Sequence, residues 1–339
     1  RREGTEPWAA FVRRWGRVRT VGPGRLEREA LWKDPISPAE ALWYWGFLQR
    51  TPQITETGTS VDMAFVPESL ALYLPSPPAL EIPPPETTAP PLHIIKHGDR
   101  LVDDMVTLLA YVQNATVPAT GDGTWSPGHR ARIVPRLFAP PALPLLQAVA
   151  RTQQLAYRDE RGRLRPVPDA TLDWLHADRW TQWETVAQGW VDTSRWNDLR
   201  LVETLRPDPM VGWPNDPVGT RKHVLAVLER CTPGLWYPLA GFVAYVREYE
   251  PDFMRPDADY ESWSLRDAQT DALLRGFEAW DSVEGALLAT LLLEPLAWLG
   301  IVDLGQRHAR LPPDSFRLSA LGAALLALGE VPSFMEAPP

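Results

Sequence analysis

The chain has 339 residues, 45% hydrophobic and 23% charged, which is the balance of a globular protein and too long for one comfortable core, so two or three domains are expected. Its formal charge of −9 argues against a polyanionic partner for the chain as a whole, and a single cysteine, Cys231, excludes a disulfide framework or a cysteine-rich zinc site. The start, Arg1-Arg2-Glu3-Gly4, lacks both an initiator methionine and the apolar core of a signal peptide, which fits a cytoplasmic protein whose first module is truncated.

Along the chain, Trp8, Phe11, Val12 and Trp15 fall on one face of an expected helix, with arginines off that face. Ser37-Pro38-Ala39-Glu40 is a capping box with proline at the first helical position, which fixes a helix start just before Leu42-Trp43. That helix ends near Gly46, two short strands flank a polar loop at Pro52–Ser60, and a last helix runs from about Glu68 to Leu74. Residues 75–91 carry eight prolines in seventeen positions, so they sustain neither a helix nor a central strand and are expected to form a semi-extended linker.

Beyond the linker, Leu101, Val102, Met105, Leu108, Leu109 and Val112 recur at helical spacing, followed by an irregular loop with Gly121-Asp122-Gly123. Ile133–Arg151 supplies helix broken by prolines. A hairpin then turns at Asp159-Glu160-Arg161-Gly162. Five tryptophans (Trp174, Trp180, Trp183, Trp190 and Trp196) follow within 23 residues; Trp183, Val186, Ala187 and Trp190 share a helical face, so packing between modules is expected. A break at Pro207–Pro217 precedes helices over Arg221–Leu228, Tyr237–Tyr249 and Ser282–Leu293, the last capped by Ser282. Pro251–Asp271, polar and acidic, is expected to be a surface insertion. The apolar run Ala286–Leu304 is interrupted by Glu294-Pro295, which favours a buried helix and strand over a membrane span.

One pattern appears three times, over Leu42–Leu74, Leu145–Leu175 and Leu291–Leu326: helix, strand, loop, strand, helix. It predicts a fold that is mainly α with small β-hairpins (α+β), built as three tandem winged-helix modules at 1–74, 92–206 and 207–330, with a tail at 331–339. The charge deficit is confined to the last module, since residues 207–339 hold 10 basic against 19 acidic side chains. Residues 129–165 hold eight arginines against Asp159 and Glu160 alone. A local field decides the approach of a polyanion, so Arg130, Arg132, Arg136, Arg158, Arg161, Arg163 and Arg165 are the candidate nucleic-acid-binding residues.

Catalytic constellations are weak. No glycine-rich phosphate loop or nucleophile turn occurs. His93 and His97 have ligand-like spacing beside Asp99, Asp103 and Asp104, but they straddle the end of the proline stretch, and the aspartates suit a helix N-terminus; neither metal nor cofactor is expected.

The runs Trp15–Arg19, Gly22–Glu29, Pro35–Tyr44, Trp196–Leu199 and Trp213–Pro217 resemble a group of uncharacterised bacterial tandem winged-helix proteins over most of the chain. The wing-to-helix phrases Phe65–Leu70 and Phe316–Gly322 are similar, more distantly, to the helicase-associated winged-helix region of bacterial XPB-like helicases. The resemblance implies DNA-linked work and transfers no catalytic residue, because the helicase motor motifs are missing. The expectation is a non-enzymatic, cytoplasmic accessory protein that binds duplex DNA or supports a DNA-processing partner. The alternative is a protein-interaction scaffold acting through the acidic third module.

Overall fold

In the computed structural model, which describes residues 5–54, 60–74, 81–119, 125–207, 212–255 and 257–334, helices alternate with small antiparallel sheets as an α+β fold. The chain packs as two units, residues 1–82 with 255–263, and residues 83–254 with 264–339. The loop centre at 55–59, the Gly121-Asp122-Gly123 loop, residues 208–211 of the second break, residues 1–4 and the end of the tail lie outside the described residues.

The first unit runs β1 (Thr5–Pro7), α1 (Trp8–Trp15), α2 (Pro23–Glu29), α3 (Pro38–Tyr44), β2 (Gln49–Ile54), β3 (Ser60–Phe65) and α4 (Glu68–Ala71). Ser37 Oγ accepts the Glu40 amide at 3.0 Å, which starts α3 where the cap motif predicts. The reciprocal half of the capping box does not form. The Glu40 carboxylate accepts instead from the Ile36 amide at 2.8 Å and from both Nε and Nη2 of Arg19 at 2.7 Å, a charge-assisted fork that outcompetes one neutral amide.

Pro251–Asp271 is not a surface insertion. Phe253, Met254, Arg255, Ala258, Tyr260 and Leu265 are buried, and residues 255–263 belong to the first unit, where the Arg13 guanidinium lies 5.2 Å above the Tyr260 ring. The aspartates that make this stretch look solvated fold its turns: Asp259 Oδ1 accepts the amides of Glu261 and Ser262, and Asp267 Oδ1 those of Gln269 and Thr270.

The second unit begins with β4 (His93–Ile95), α5 (Leu101–Asn114), β5 (Val117–Pro118), α6 (Pro127–Ile133), α7 (Leu143–Thr152), β6 (Ala156–Arg158), β7 (Arg163–Pro166), α8 (Pro168–His176), α9 (Arg179–Asp192) and β8 (Leu205–Pro207). It continues with α10 (Pro217–Leu228), β9 (Tyr237–Pro238), α11 (Leu239–Tyr249), β10 (Leu265–Asp267), β11 (Leu273–Leu274), α12 (Ala286–Leu293), α13 (Pro295–Trp298), β12 (Val302–Gln306), β13 (Ser315–Leu318) and α14 (Ala320–Leu325). Ser282 does not cap α12; it lies within a π-helical turn, Asp281–Gly285, that leads into the helix.

One strand order recurs. In each of three sheets a short early strand pairs with the second strand of a later hairpin: β1-β3-β2, β5-β7-β6 and β9-β13-β12, the last extended by β4 on the far side of β12. Helices fill the interval each time: α1 to α3, α6 and α7, and α11 to α13.

The tryptophan stripe of α9 is a packing surface. Trp183 and Trp190 are fully buried, and the Trp183 indole donates to the Leu299 carbonyl at 2.7 Å, joining elements 116 residues apart. Gly189 permits α9 to lie close on α7, because a Cβ there would come within 2.6 Å of Val149 and 2.8 Å of Gln153. As a result α7 is enclosed, with Leu143, Leu145, Leu146, Gln147, Ala148, Val149 and Ala150 all buried. Asp104 is also more than a helix-dipole partner: buried, it accepts the amides of Phe138 at 2.7 Å and Ala139 at 2.8 Å and so shapes the approach to α7.

The far half of the proline-rich stretch is anchored. Pro85 is buried, the Pro83 carbonyl accepts from Tyr245 Oη at 2.8 Å, and the Thr88 amide donates to the Trp236 carbonyl at 2.7 Å. Residues 83–91 should therefore resist a broad-specificity protease until the second unit unfolds, despite their composition. Early cleavage within 83–91, mapped by mass spectrometry of native digests, would show that these bonds do not hold.

Candidate nucleic-acid interface

The seven candidate arginines separate by what holds them. Arg130 and Arg132 project from α6, and Arg136 from the turn that follows; all three are exposed. α6 is seated by its own aromatic neighbours: Tyr111 Oη lies 2.9 Å from His129 Nδ1, and the Tyr111 ring stacks on Trp125. On the hairpin, Arg158 and Arg161 are exposed. Among the described residues none of these five forms an ion pair.

Arg163 and Arg165 are occupied by the hairpin and its neighbour. Arg163 Nε meets Asp159 Oδ2 at 2.6 Å. Arg165 Nη1 donates to the carbonyls of Val112 at 3.2 Å and Gln113 at 3.4 Å, at the C-terminal end of α5 where the helix dipole favours a cation. Burial pushes the Asp159 carboxyl up, but the Arg163 amide and guanidinium, with the Arg161 amide, overcome it and hold the carboxyl below its ordinary value. The turn closes with the Gly162 amide on the Asp159 carbonyl, and Gly162 has φ +72°, which glycine adopts without strain. The Arg158 guanidinium lies across this glycine, its Nη2 3.3 Å from where a Cβ would stand.

Two further arginines sit at chain positions that the fold ties together. Arg151, half-buried, is in the last turn of α7, and Arg195, exposed, follows α9. A Thr152–Thr193 hydroxyl hydrogen bond of 2.8 Å ties the two helix ends together, and the Arg195 amide donates to Thr193 Oγ1 at 3.2 Å. Burial lowers the proton affinity of the Arg151 guanidinium, and the like charges of Arg195 and Arg158 lower it further. In the sequence Arg195 stands between Asp192 and Asp198 and looks neutralised. In the fold Asp192 bonds Gln188 and Lys222, while Asp198 faces the interior.

Asp198 is part of a buried network. Its Oδ2 accepts from Arg221 Nε at 2.6 Å and its Oδ1 from the indoles of Trp190 and Trp196 at 3.1 and 3.0 Å. The rest of the Arg221 fork donates to the carbonyls of Trp190, Thr193 and Trp196. This fixes the 193–196 turn that carries Arg195.

Other reactive groups have structural surroundings. Burial pushes the Cys231 thiol up to about 12, so at neutral pH it is a protonated core residue. A cavity of about 380 Å³ between residues 88–92 and the β12–β13 hairpin is lined by Arg307, His308 and Asp314, with Arg307 Nε paired to Asp314 at 2.6 Å. Among the described residues no helix is long and apolar enough to cross a membrane. Comparison of the chain with protein-family models, curated proteins and solved structures gave no match.

Proposed function

We propose that the chain is a non-enzymatic protein of three winged-helix modules that holds duplex DNA by its phosphates. The recurring strand order, with helices between the first strand and the hairpin, supports the modular part of this reading. The observation that carries the binding part is the set of exposed arginines, without an ion pair among the described residues, on α6, the turn after it and the β6–β7 hairpin: Arg130, Arg132, Arg136, Arg158 and Arg161. In a winged helix the third helix enters the major groove. Here its counterpart, α7, is buried under α9 and offers few side chains to base edges. Binding is therefore to the backbone, which positions a protein without specifying sequence.

Titration of unrelated duplexes at two or more salt concentrations should give equal affinities and a steep salt dependence. Replacing Arg130, Arg132 and Arg136 by serine should flatten the slope of log affinity against log salt by roughly 0.9 for each phosphate no longer neutralised. Failure of the wild type to bind any duplex at low salt would overturn the reading. The alternative, a protein-binding scaffold, is favoured by an apolar surface on the first unit, where Ile36, Leu42, Trp45 and Phe47 around α3 are exposed, and by the acidity of residues 207–339.

A further inference from the structure

We propose that strand β4, with Leu92 before it and Lys96 after it, is a docking edge for an extended acidic peptide, which adds a strand to the β4-β12-β13-β9 sheet. β4 pairs on one side only, with Ile95 opposite Leu304, Ile94 opposite Gly305 and His93 opposite Gln306 of β12. Among the described residues, 92–96 form no backbone-to-backbone hydrogen bond other than those to β12. Leu92-His93-Ile94-Ile95-Lys96 is a sequence suited to a strand, and Leu92 is 76% and Ile94 45% exposed.

Proteins blunt such edges, because a row of free N–H and C=O groups templates another strand. Among the described residues five of the eight edge strands carry a proline, namely Pro7, Pro52, Pro118, Pro207 and Pro238, and a missing N–H spoils a new ladder. Of the others, β6 carries Arg158 and β11 has only two residues, which leaves β4 as the open apolar edge. It is also held in place. The Thr88 amide bonds the Trp236 carbonyl, and Gly305 makes room for Pro91, whose Cγ would lie 2.5 Å from a Cβ there. A partner therefore meets an edge whose ordering entropy is already lost.

Charge fixes the kind of peptide. Residues 207–339 are acidic as a whole, but both carboxylates of the β12–β13 hairpin are taken, Asp303 by Arg317 and Asp314 by Arg307. Lys96 is exposed and has no ion pair among the described residues, and at the other end Arg307 and His308 line one cavity with Leu92. Exposed apolar side chains and free backbone groups suit a peptide rather than phosphates, so this edge does not rest on the DNA reading.

The probe is a fluorescein-labelled heptapeptide of alternating valine and glutamate, with a valine and lysine heptapeptide as control, each titrated into the full chain by anisotropy. The acidic peptide should bind and slow hydrogen exchange across 92–96. Its affinity should fall about tenfold in Ile94→Glu and about threefold in Lys96→Gln, and the basic peptide should bind at least about tenfold more weakly. Both substituted side chains are exposed, and an unchanged urea midpoint is the folding control. Equal binding of the two peptides, acidic-peptide binding that Ile94→Glu leaves unchanged, or no binding up to about 1 mM overturns the proposal. A dimer of the chain that Ile94→Glu dissociates gives the edge to a second copy and overturns it as well. Duplex binding weakened by Ile94→Glu, with neither peptide bound, overturns it in favour of a nucleic-acid contact.

Discussion

Asp198→Ala should lower the unfolding free energy of the second unit by about 3–5 kcal/mol, because it strands a buried guanidinium and two buried indole N–H groups at once. The Arg221 side chain is 0% exposed and that of Asp198 6%, so water is in no position to replace the missing partner. Arg221→Met should also be costly, since it leaves the Trp190, Thr193 and Trp196 carbonyls without their donor. The two effects should not add. In the double variant no unpaired ion remains, and a double-mutant cycle should return a coupling of the order of 2–3 kcal/mol. Urea titrations followed by tryptophan fluorescence measure all four corners of the cycle, because Trp183, Trp190 and Trp196 are buried in this region. A loss below about 1 kcal/mol for Asp198→Ala would mean that the network relaxes and that the 193–196 turn is not held by it.

The first unit should lose stability between about pH 4.5 and pH 2 through one buried carboxyl. Burial pushes the Glu40 carboxyl up, but the Arg19 guanidinium and the amides of Ile36 and Arg19 overcome it and hold it down to about 2, against an ordinary 4.5. A folded-state value below the unfolded one means that the unfolded chain binds more protons in this window. The contribution is therefore complete above about pH 4.5 and is lost as pH falls toward 2. Hydrogen exchange of peptides spanning 17–44 should show protection that falls on acidification in the wild type and is already low, with a much shallower pH dependence, in Glu40→Gln. Arg19→Ala should be the more damaging change, since it leaves an ionised carboxylate without its guanidinium partner at neutral pH. Wild-type protection that stays flat from pH 5 to 3 would disprove the assignment. The pair also holds the start of α3, whose Leu42 and the adjoining Trp45 are exposed.

What the sequence determines by itself is whatever short-range chemistry can specify. The Ser37 cap, the helical period of Leu101–Val112, the turn at Asp159–Gly162 and the stripe Trp183–Trp190 are each written within about a dozen residues or fewer, by a cap, a 3.6-residue repeat or a glycine at positive φ. The three hairpins follow from such signals, and the repeat follows from the hairpins. Strands of two or three residues carry no period, so β5 and β9 become visible only when β7 and β13 present them an edge. β4 pairs with β12 across some two hundred residues for the same reason. Tertiary structure also decided the site. It enclosed α7 beneath α9, turned Arg165 onto the end of α5, and tied the end of α7 to the turn that carries Arg195. A charge read along the chain is the sum of its neighbours in sequence. A charge in the fold answers to whichever partners long-range packing leaves within reach, and in low dielectric those few interactions outweigh the sum.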